Sequence, residues 1–265
     1  MTAIALTIAG SDSGGGAGIQ ADIKTFSALG AYAASVITAI TAQNTKGVTA
    51  VEDVSVGAIV AQMDAVFSDL AINAVKIGMV SRIETIEAIA ARLRLKPQPV
   101  VLDPVMVATS GDRLLHEDAI ETLRRDLLPL ATIVTPNLPE AALLTDTPVA
   151  VSQDEVTRQA EAILKAGAKA VLIKGGHGDG PESTDYLFAD GQMHALSAPR
   201  VDTKNDHGTG CTLAAAITAH LAQGRDLTEA VSLAKDYLHG ALAAGRNLAV
   251  GQGRGPVHHF YRWWA

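Results

Sequence analysis

The sequence predicts a three-layer α/β protein, a mostly parallel central sheet with helices on both faces. Three observations carry this. Short apolar runs alternate with helical patterns along the whole chain, and such alternation joins parallel strands through helices. Hydrophobic residues make up 48% of the 265 residues but aromatics only 4%, so Ala, Val, Ile and Leu must build the core, as they do where helices pack on a buried sheet. No linker-like stretch interrupts the chain, which predicts one domain over residues 1–265.

Ala3 to Ala9 reads as a first buried strand, followed by the breaker-rich Gly10 to Gly18 and a helix through Ile19, Ile23, Phe26 and Leu29, closed by Gly30. A second strand, Ala33 to Ile40, leads through the turn signal at Gln43 to Gly47 into Val48 to Val54, a small hairpin or flap. Ser55 to Leu70 is the next helix and Ala74 to Ile77 the next strand. Ser81 to Glu84 has capping-box form and opens a helix to about Leu95, and Pro99 to Leu102 is a strand ending on Asp103. An irregular segment, Pro104 to Leu115, precedes helix Glu117 to Leu127 and strand Thr132 to Val134. A short helix from Glu140, a second capping box at Ser152 to Glu155 and strand Ala170 to Lys174 follow. Asp190-Gly191 joins Asp185–Ala189 to Gln192–Ser197 as a hairpin, and a last helix runs from Leu227 to Gly245.

Between them lies the stretch Asp202 to Gly224. Its glycine-bracketed loop runs into a helix starting near Thr209 to Thr212, with Leu213, Ile217 and Leu221 on one stripe. A helix N-terminus presents unpartnered N–H groups and the positive end of the dipole, so this entry is a candidate anion site. Cys211, the one cysteine, falls in the first turn, where a depressed pKa would give a thiolate able to accept a proton; a small inert thiol filling a gap is the competing reading.

A net charge of −7 argues against a nucleic-acid or anionic-membrane surface and leaves room for a small anionic substrate met by Lys174, Lys204 and Lys235. A lone cysteine excludes an internal disulfide framework, and the N-terminus carries no basic leader, which together predict a cytoplasmic location. In a parallel sheet, ligands bind beyond the carboxyl ends of the strands. The strand ends deliver Asp12, Asp103, Asn137 with Glu140, Lys174 and the Cys211 loop, the parts needed to hold Mg-ATP and move a phosphoryl group.

Other local patterns are weaker. Gly10 to Gly18 invites a dinucleotide reading, but the spacing is not G-x-G-x-x-G and no acidic residue closes a second strand; a wide turn is the alternative. No Walker A motif occurs. His207 and the pair His258-His259 have no metal-ligand spacing and read as loop histidines. The aromatic tail Phe260 to Trp264 reads as packing against the body or a second subunit.

Taken together, these blocks resemble the hydroxymethylpyrimidine/phosphomethylpyrimidine kinases of thiamine biosynthesis, a ribokinase-like family. The resemblance runs the full length: residues 9–25, TAQNT at 41–45, KIGM at 76–79, VLDPVMVATSGDRLL at 101–115, TPNLPEA at 135–141, LIKGGH at 172–177 and KNDHGTGCTLAAAI at 204–217. It implies phosphorylation of 4-amino-5-hydroxymethyl-2-methylpyrimidine and then of its monophosphate, with ATP and Mg²⁺. Carried residue by residue, it implies a pyrimidine pocket at Asp22, Gln43, Met79 and Val107, and a metal and phosphate region at Asp103, Asn137 and Glu140. It further implies phosphate or nucleotide contacts at Lys174 and Lys235, an anion hole at Gly208, Thr209 and Gly210, and Cys211 where many sugar kinases of the superfamily carry an aspartate base. A homodimer is expected. Asp206 departs from the pattern, which has a neutral side chain such as threonine there. Rival readings are a pyridoxal or pyridoxine kinase of the same fold, a catalytically silent pyrimidine sensor, and a dinucleotide dehydrogenase.

Overall fold

The computed structural model describes residues 2–106, 117–176 and 180–264. Its first half runs β1 (Ile4–Ala9), α1 (Gly18–Ala28), β2 (Tyr32–Ile37), β3 (Ala39–Asn44), β4 (Gly47–Asp53), α2 (Val56–Asp69), β5 (Ala74–Ile77), α3 (Ile83–Leu93) and β6 (Val100–Leu102). Then come α4 (Glu117–Asp126), β7 (Ile133–Val134), α5 (Leu138–Thr145), α6 (Gln153–Lys165), β8 (Val171–Ile173), β9 (Glu182–Ala189), β10 (Gln192–Pro199), α7 (Thr209–Ala222) and α8 (Leu227–Gly245). An eight-stranded sheet has the order β10-β9-β8-β7-β6-β5-β1-β2, and β3 and β4 form a separate two-stranded ribbon. β1, β2 and β5 to β8 pair in parallel, while β9 is antiparallel to both its neighbours.

Central strands such as β5 are buried at every residue, as a sheet covered on both sides requires. Alternation along them divides the core. Val75, Ile77, Leu102 and Val134 pack with α2 to α6, while Val101, Ile133 and Leu172 pack with α7 and α8. Phe26 of α1 joins Ala215 and Ala219 of α7 on that second face. The alanines of α7 are buried nearly all round, which makes it the central helix of its layer.

The strand expected at 33–40 is divided at Thr38, whose amide donates to Ala9 O (3.0 Å) and whose hydroxyl donates to Met79 O (2.8 Å). Beyond it the chain leaves the main sheet as β3. The capping box expected at Ser81 does not form: Arg82 is the N-cap with no side-chain bond, and Ser81 Oγ donates instead to Asp53 Oδ1 (2.9 Å). The one at Ser152 does form. A further one, unread in the sequence, starts α5 at Leu138 rather than Glu140, with Asn137 as N-cap and Glu140 returning to the Asn137 amide. Most of the irregular segment 104–115, including Val107, lies outside the described residues.

Candidate active site

A cavity of about 710 Å³ opens at the carboxyl ends of the parallel strands, between the β3–β4 ribbon, the α7 N-terminus and the β8–β9 region. Gly10, Asp12, Gln43, Met79, Asp103, Asn137, Glu140, Lys174 and Gly208 to Cys211 all line it, so the structure gathers there most of the residues picked from the sequence.

The anion corner is built by backbone. Gly208 is the N-cap of α7 at φ 81, and a side chain there would run into Gly16 O, 1.9 Å from its Cβ. The first intrahelical bond is Thr212 N to Gly208 O (2.8 Å), so the Gly210 and Cys211 amides precede the hydrogen-bonded ladder and are free for a ligand. A Cβ placed on Gly210 would lie 3.3 Å from Lys174 Nζ and 3.7 Å from Asp103 Oδ2, which puts those charges against the same helix end.

Cys211 sits where α1 and α7 both begin, its sulfur facing the backbone N–H of Gly18. The expected depressed pKa is not found. Enclosure by protein pushes the thiol up to about 11; Lys76 pulls it down, but Asp22 and Asp103 add to the push. The helix N-terminus does not outweigh desolvation among two carboxylates, so at neutral pH the free site holds a thiol.

Lys174, at the end of β8, donates to Asp103 Oδ1 (2.9 Å) and lies 3.9 Å from Glu140 Oε2. Burial opposes ionisation of Asp103, but Lys174 and Lys76 outweigh it and hold its carboxyl below the usual range. Glu140 differs: burial pushes it up to about 7, Lys174 pulls against this and Asp103 adds to it. One ammonium thus faces two buried carboxylates.

Gln43 follows a register shift in β3, a bulge that sets its side chain beside the cavity. Its Oε1 lies 3.2 Å from Thr41 Oγ1, whose single proton goes to Ser11 O (2.8 Å), and its Nε2 is 3.4 Å from His207 Nε2. The same His207 nitrogen is 2.9 Å from Asp12 Oδ2. A ring nitrogen can serve only one of them, and the shorter, charged contact takes its proton, leaving the Gln43 NH₂ group free. His207 is therefore part of the site rather than an uninvolved loop histidine. Asp12 also accepts from the amides of Gly14, Gly16 and Ala17, which fixes the glycine-rich turn around it.

One position needs correction. Asp22 is fully buried and does not line the cavity; it accepts from Lys76 Nζ (2.9 Å) and Thr7 Oγ1 (2.6 Å). What reaches the cavity floor is Lys76, held charged by Asp22 against burial. A lysine in the apolar strand Ala74–Ile77 was the signal that could have found it. Lys235 borders the cavity, but its ammonium donates to Asp185 Oδ2 (2.7 Å) and Ser183 O (3.0 Å), and Asp185 also accepts from the Gly175 amide (2.9 Å). Its charge anchors the start of β9 at the cavity wall, much as Asp103 anchors Lys174. Asp206 likewise does not leave a bare negative charge, because the Arg254 guanidinium pairs with it through two bonds.

A three-layer α/β fold that brings a helix N-terminus, ion-paired lysines and two buried acids to the strand ends defines a small-molecule kinase of the ribokinase-like kind. The phosphomethylpyrimidine kinase family model matches residues 12–258, and the chain belongs to that family. A hydroxymethylpyrimidine/phosphomethylpyrimidine kinase of Rhizobium meliloti (strain 1021) is 67% identical over 264 residues, covering 100% of this chain and 99% of its own. Among solved structures, a phosphomethylpyrimidine kinase from Clostridium difficile 630 has a TM-score of 0.80 and 50% identity, over 90% of this chain and 98% of its own. A Bacillus subtilis pyridoxal kinase in complex with ADP has a TM-score of 0.91 but 35% identity, over 99% of both chains. The backbone is thus common to both ring chemistries, and identity favours the pyrimidine enzymes.

Proposed function

We propose that this kinase transfers the γ-phosphoryl group of ATP to the hydroxymethyl group of 4-amino-5-hydroxymethyl-2-methylpyrimidine, and then phosphorylates the monophosphate, in thiamine biosynthesis. The observation that carries the ring assignment is Gln43. With His207 committed to Asp12 and the Thr41 hydroxyl to Ser11 O, the Gln43 amide offers a free donor beside a free carbonyl acceptor, a match for the ring nitrogen and exocyclic amine of an aminopyrimidine. A site built for that pair rejects a pyridoxal ring, which brings a phenol and an aldehyde.

ATP phosphates would meet the free amides of Gly210 and Cys211, with Thr209 beside them and Lys174 against the same helix end. Asn137 holds Glu140 in place through the α5 cap. Mg²⁺ fits this corner, because Asp103 and Glu140 outnumber Lys174 in buried charge and divalent ions of this type need only one or two carboxylates plus phosphate oxygens. Asp103 and Glu140 would hold it, and bound there it would neutralise charge on the phosphates. Cys211 is placed to accept the hydroxyl proton once its own proton has left; the thiolate is the minor form at neutral pH and its share grows up to about pH 11. Lys76 stabilises that thiolate from the cavity floor.

The reading takes residues 1–265 as one cytoplasmic domain; no helix among the described residues is long and apolar enough to cross a membrane. It also takes the enzyme as a homodimer, on the exposed aromatics Trp263 (69%), Trp264 (61%) and, in β2, Tyr32 (57%). ADP release measured with the pyrimidine alcohol, its monophosphate and pyridoxal tests the assignment. Both pyrimidines should be turned over and pyridoxal only poorly; equal turnover of pyridoxal would replace the reading with a pyridoxal kinase.

A further inference from the structure

The stretch Gly251 to Pro256 lies outside every helix and strand named above, yet it joins two parts of the molecule that border the cavity, the β3–β4 ribbon and the loop before α7. Lys46 Nζ donates to Gln252 Oε1 (2.8 Å) and the Gly253 amide donates to Thr45 Oγ1 (3.0 Å), both at the tip of the β3–β4 ribbon. The Arg254 amide donates to Thr45 O (2.8 Å). The approach is close enough that a Cβ on Gly253 would lie 2.1 Å from Thr45 O. On its other side, His207 N donates to Gly255 O (3.0 Å) and His207 bridges Pro256 in parallel. Arg254 joins the two sides: its backbone holds the ribbon that carries Gln43, while its guanidinium grips Asp206, two residues before the Gly208 cap of the anion corner.

We propose that Arg254 is a positioning residue for the transfer reaction, fixing the ribbon that holds the ring against the loop that holds the phosphates. The inference rests on the proposed pyrimidine reading for its substrate and on the contacts above for its geometry. Asp206 and Arg254 both line the cavity wall, so the pair stands at the seam between ring and phosphates. It performs two separable tasks. The two-bond grip fixes distance, and the guanidinium cancels a carboxylate that would otherwise repel incoming phosphate. The guanidinium is 53% exposed and Asp206 28%, so the pair is worth what a partly exposed ion pair is worth, a factor of up to about five in an equilibrium.

Two variants separate the tasks. Arg254→Ala removes the grip and leaves Asp206 bare, so KM for the pyrimidine alcohol and KM for ATP should both rise, each by about two- to fivefold, with kcat changed by less than about twofold. Asp206→Asn removes the grip and the negative charge together, so KM for the pyrimidine should rise alike while KM for ATP stays at the wild-type value. The charge-swapped double variant Asp206→Arg/Arg254→Asp should recover part of the pyrimidine KM. Hydrogen exchange at residues 44–52 gives a readout independent of any substrate, and should speed up in both single variants. If that exchange is unchanged, or if both KM values stay at wild type, Arg254 has no positioning role. Turnover of pyridoxal in place of the pyrimidine by the wild-type enzyme would instead sink the substrate reading, while faster ribbon exchange in the variants would still uphold the positioning role.

Discussion

Replacing Glu140 by glutamine should make the free enzyme more stable while damaging it as a kinase, and the gain should depend on pH. Glu140 is 5% exposed, and its carboxyl is raised from 4.5 to about 7 by burial next to Asp103, with Lys174 only partly compensating. The sign follows from linkage. A carboxyl whose folded pKa lies above its unfolded one binds its proton more tightly in the native state, so native stability is fullest below about 4.5, falls as pH rises to about 7 and then stays level. A rise from 4.5 to about 7 at about 1.4 kcal/mol per pH unit sets an upper bound of ~3.5 kcal/mol on what the ionised group costs. Glutamine keeps an acceptor for the Asn137 amide, which Glu140 now engages at 2.8 Å, and carries no charge at any pH. Thermal unfolding without metal or nucleotide should therefore show similar midpoints for the two proteins near pH 4.5, and at pH 8 a midpoint for Glu140→Gln higher by several degrees. Added Mg²⁺ should raise the wild-type midpoint at pH 8 and leave that of the variant nearly unmoved. A shift of the same size at both pH values, or a variant less stable at pH 8, would refute the reasoning, because the buried charge would then not be what Glu140 costs.

Cys211→Ala should lower kcat by about 10²- to 10⁴-fold with little change in ATP affinity, since the anion corner is backbone. In the wild type, kcat/KM should climb about tenfold per pH unit between roughly pH 8 and 10, where Glu140 is already ionised and the thiol with its pKa of about 11 is not; a flat profile over that range removes Cys211 as the base. Gln43→Ala should weaken both pyrimidine substrates and reduce the preference over pyridoxal, checked by the ratio of kcat/KM values. Lys76→Met removes the counter-charge that opposes the burial of Asp22, so the variant must bury a lone carboxylate or protonate it, and should cost up to about 3–5 kcal/mol in urea unfolding, whereas Lys76→Met/Asp22→Asn should recover much of the stability but not the turnover. Recovery of both would make the pair purely structural.

Most of the architecture was legible because local signals and tertiary packing agree. The glycine-flanked entry to α7, the buried strand Ala74–Ile77 and the last helix Leu227–Gly245 fall where periodicity placed them. Ser81 and Ser152 show where such signals stop. Both begin a Ser-x-x-Glu pattern, but Ser81 has an aspartate within reach in the β4 strand and spends its hydroxyl there, while Ser152 caps its own helix. At the site, residue types at the strand ends were readable but their partners were not. Lys76 and Asp22 are 54 positions apart, Lys174 and Asp103 71, and Lys235 and Asp185 50, and nothing local pairs them. This is why sequence reasoning places Asp22 at the ligand, where the structure commits it to Lys76, and gives no sign that Lys235 at the cavity wall is paired with Asp185. The thiol of Cys211 was misread for a related reason: the helix dipole is visible in the sequence, whereas enclosure with Asp22 and Asp103 is not.

These pairings decide how the site handles phosphate. Lys76, Lys174, Lys235 and Arg254 all line the cavity, each matched by an acid from a different part of the chain, whereas Arg200 lines it with its guanidinium on the carbonyls of Gly176, Gly180 and Glu182. Glu140 then tips the balance of the Lys174 corner toward negative charge once ionised. With four of its cations matched in this way, the cavity attracts a bare polyphosphate mainly through groups that carry no counter-charge, Arg200 and the free amides at the start of α7, and on the proposed reading through a divalent ion arriving with the nucleotide. The lysines serve as fixed charges whose positions are set before substrate enters. On the proposed Mg²⁺ reading, that arrangement gives up strong binding of free nucleotide and favours the one state in which metal, phosphates and ring hydroxyl are present together, because only there are the ionised Glu140 and the free amides both satisfied.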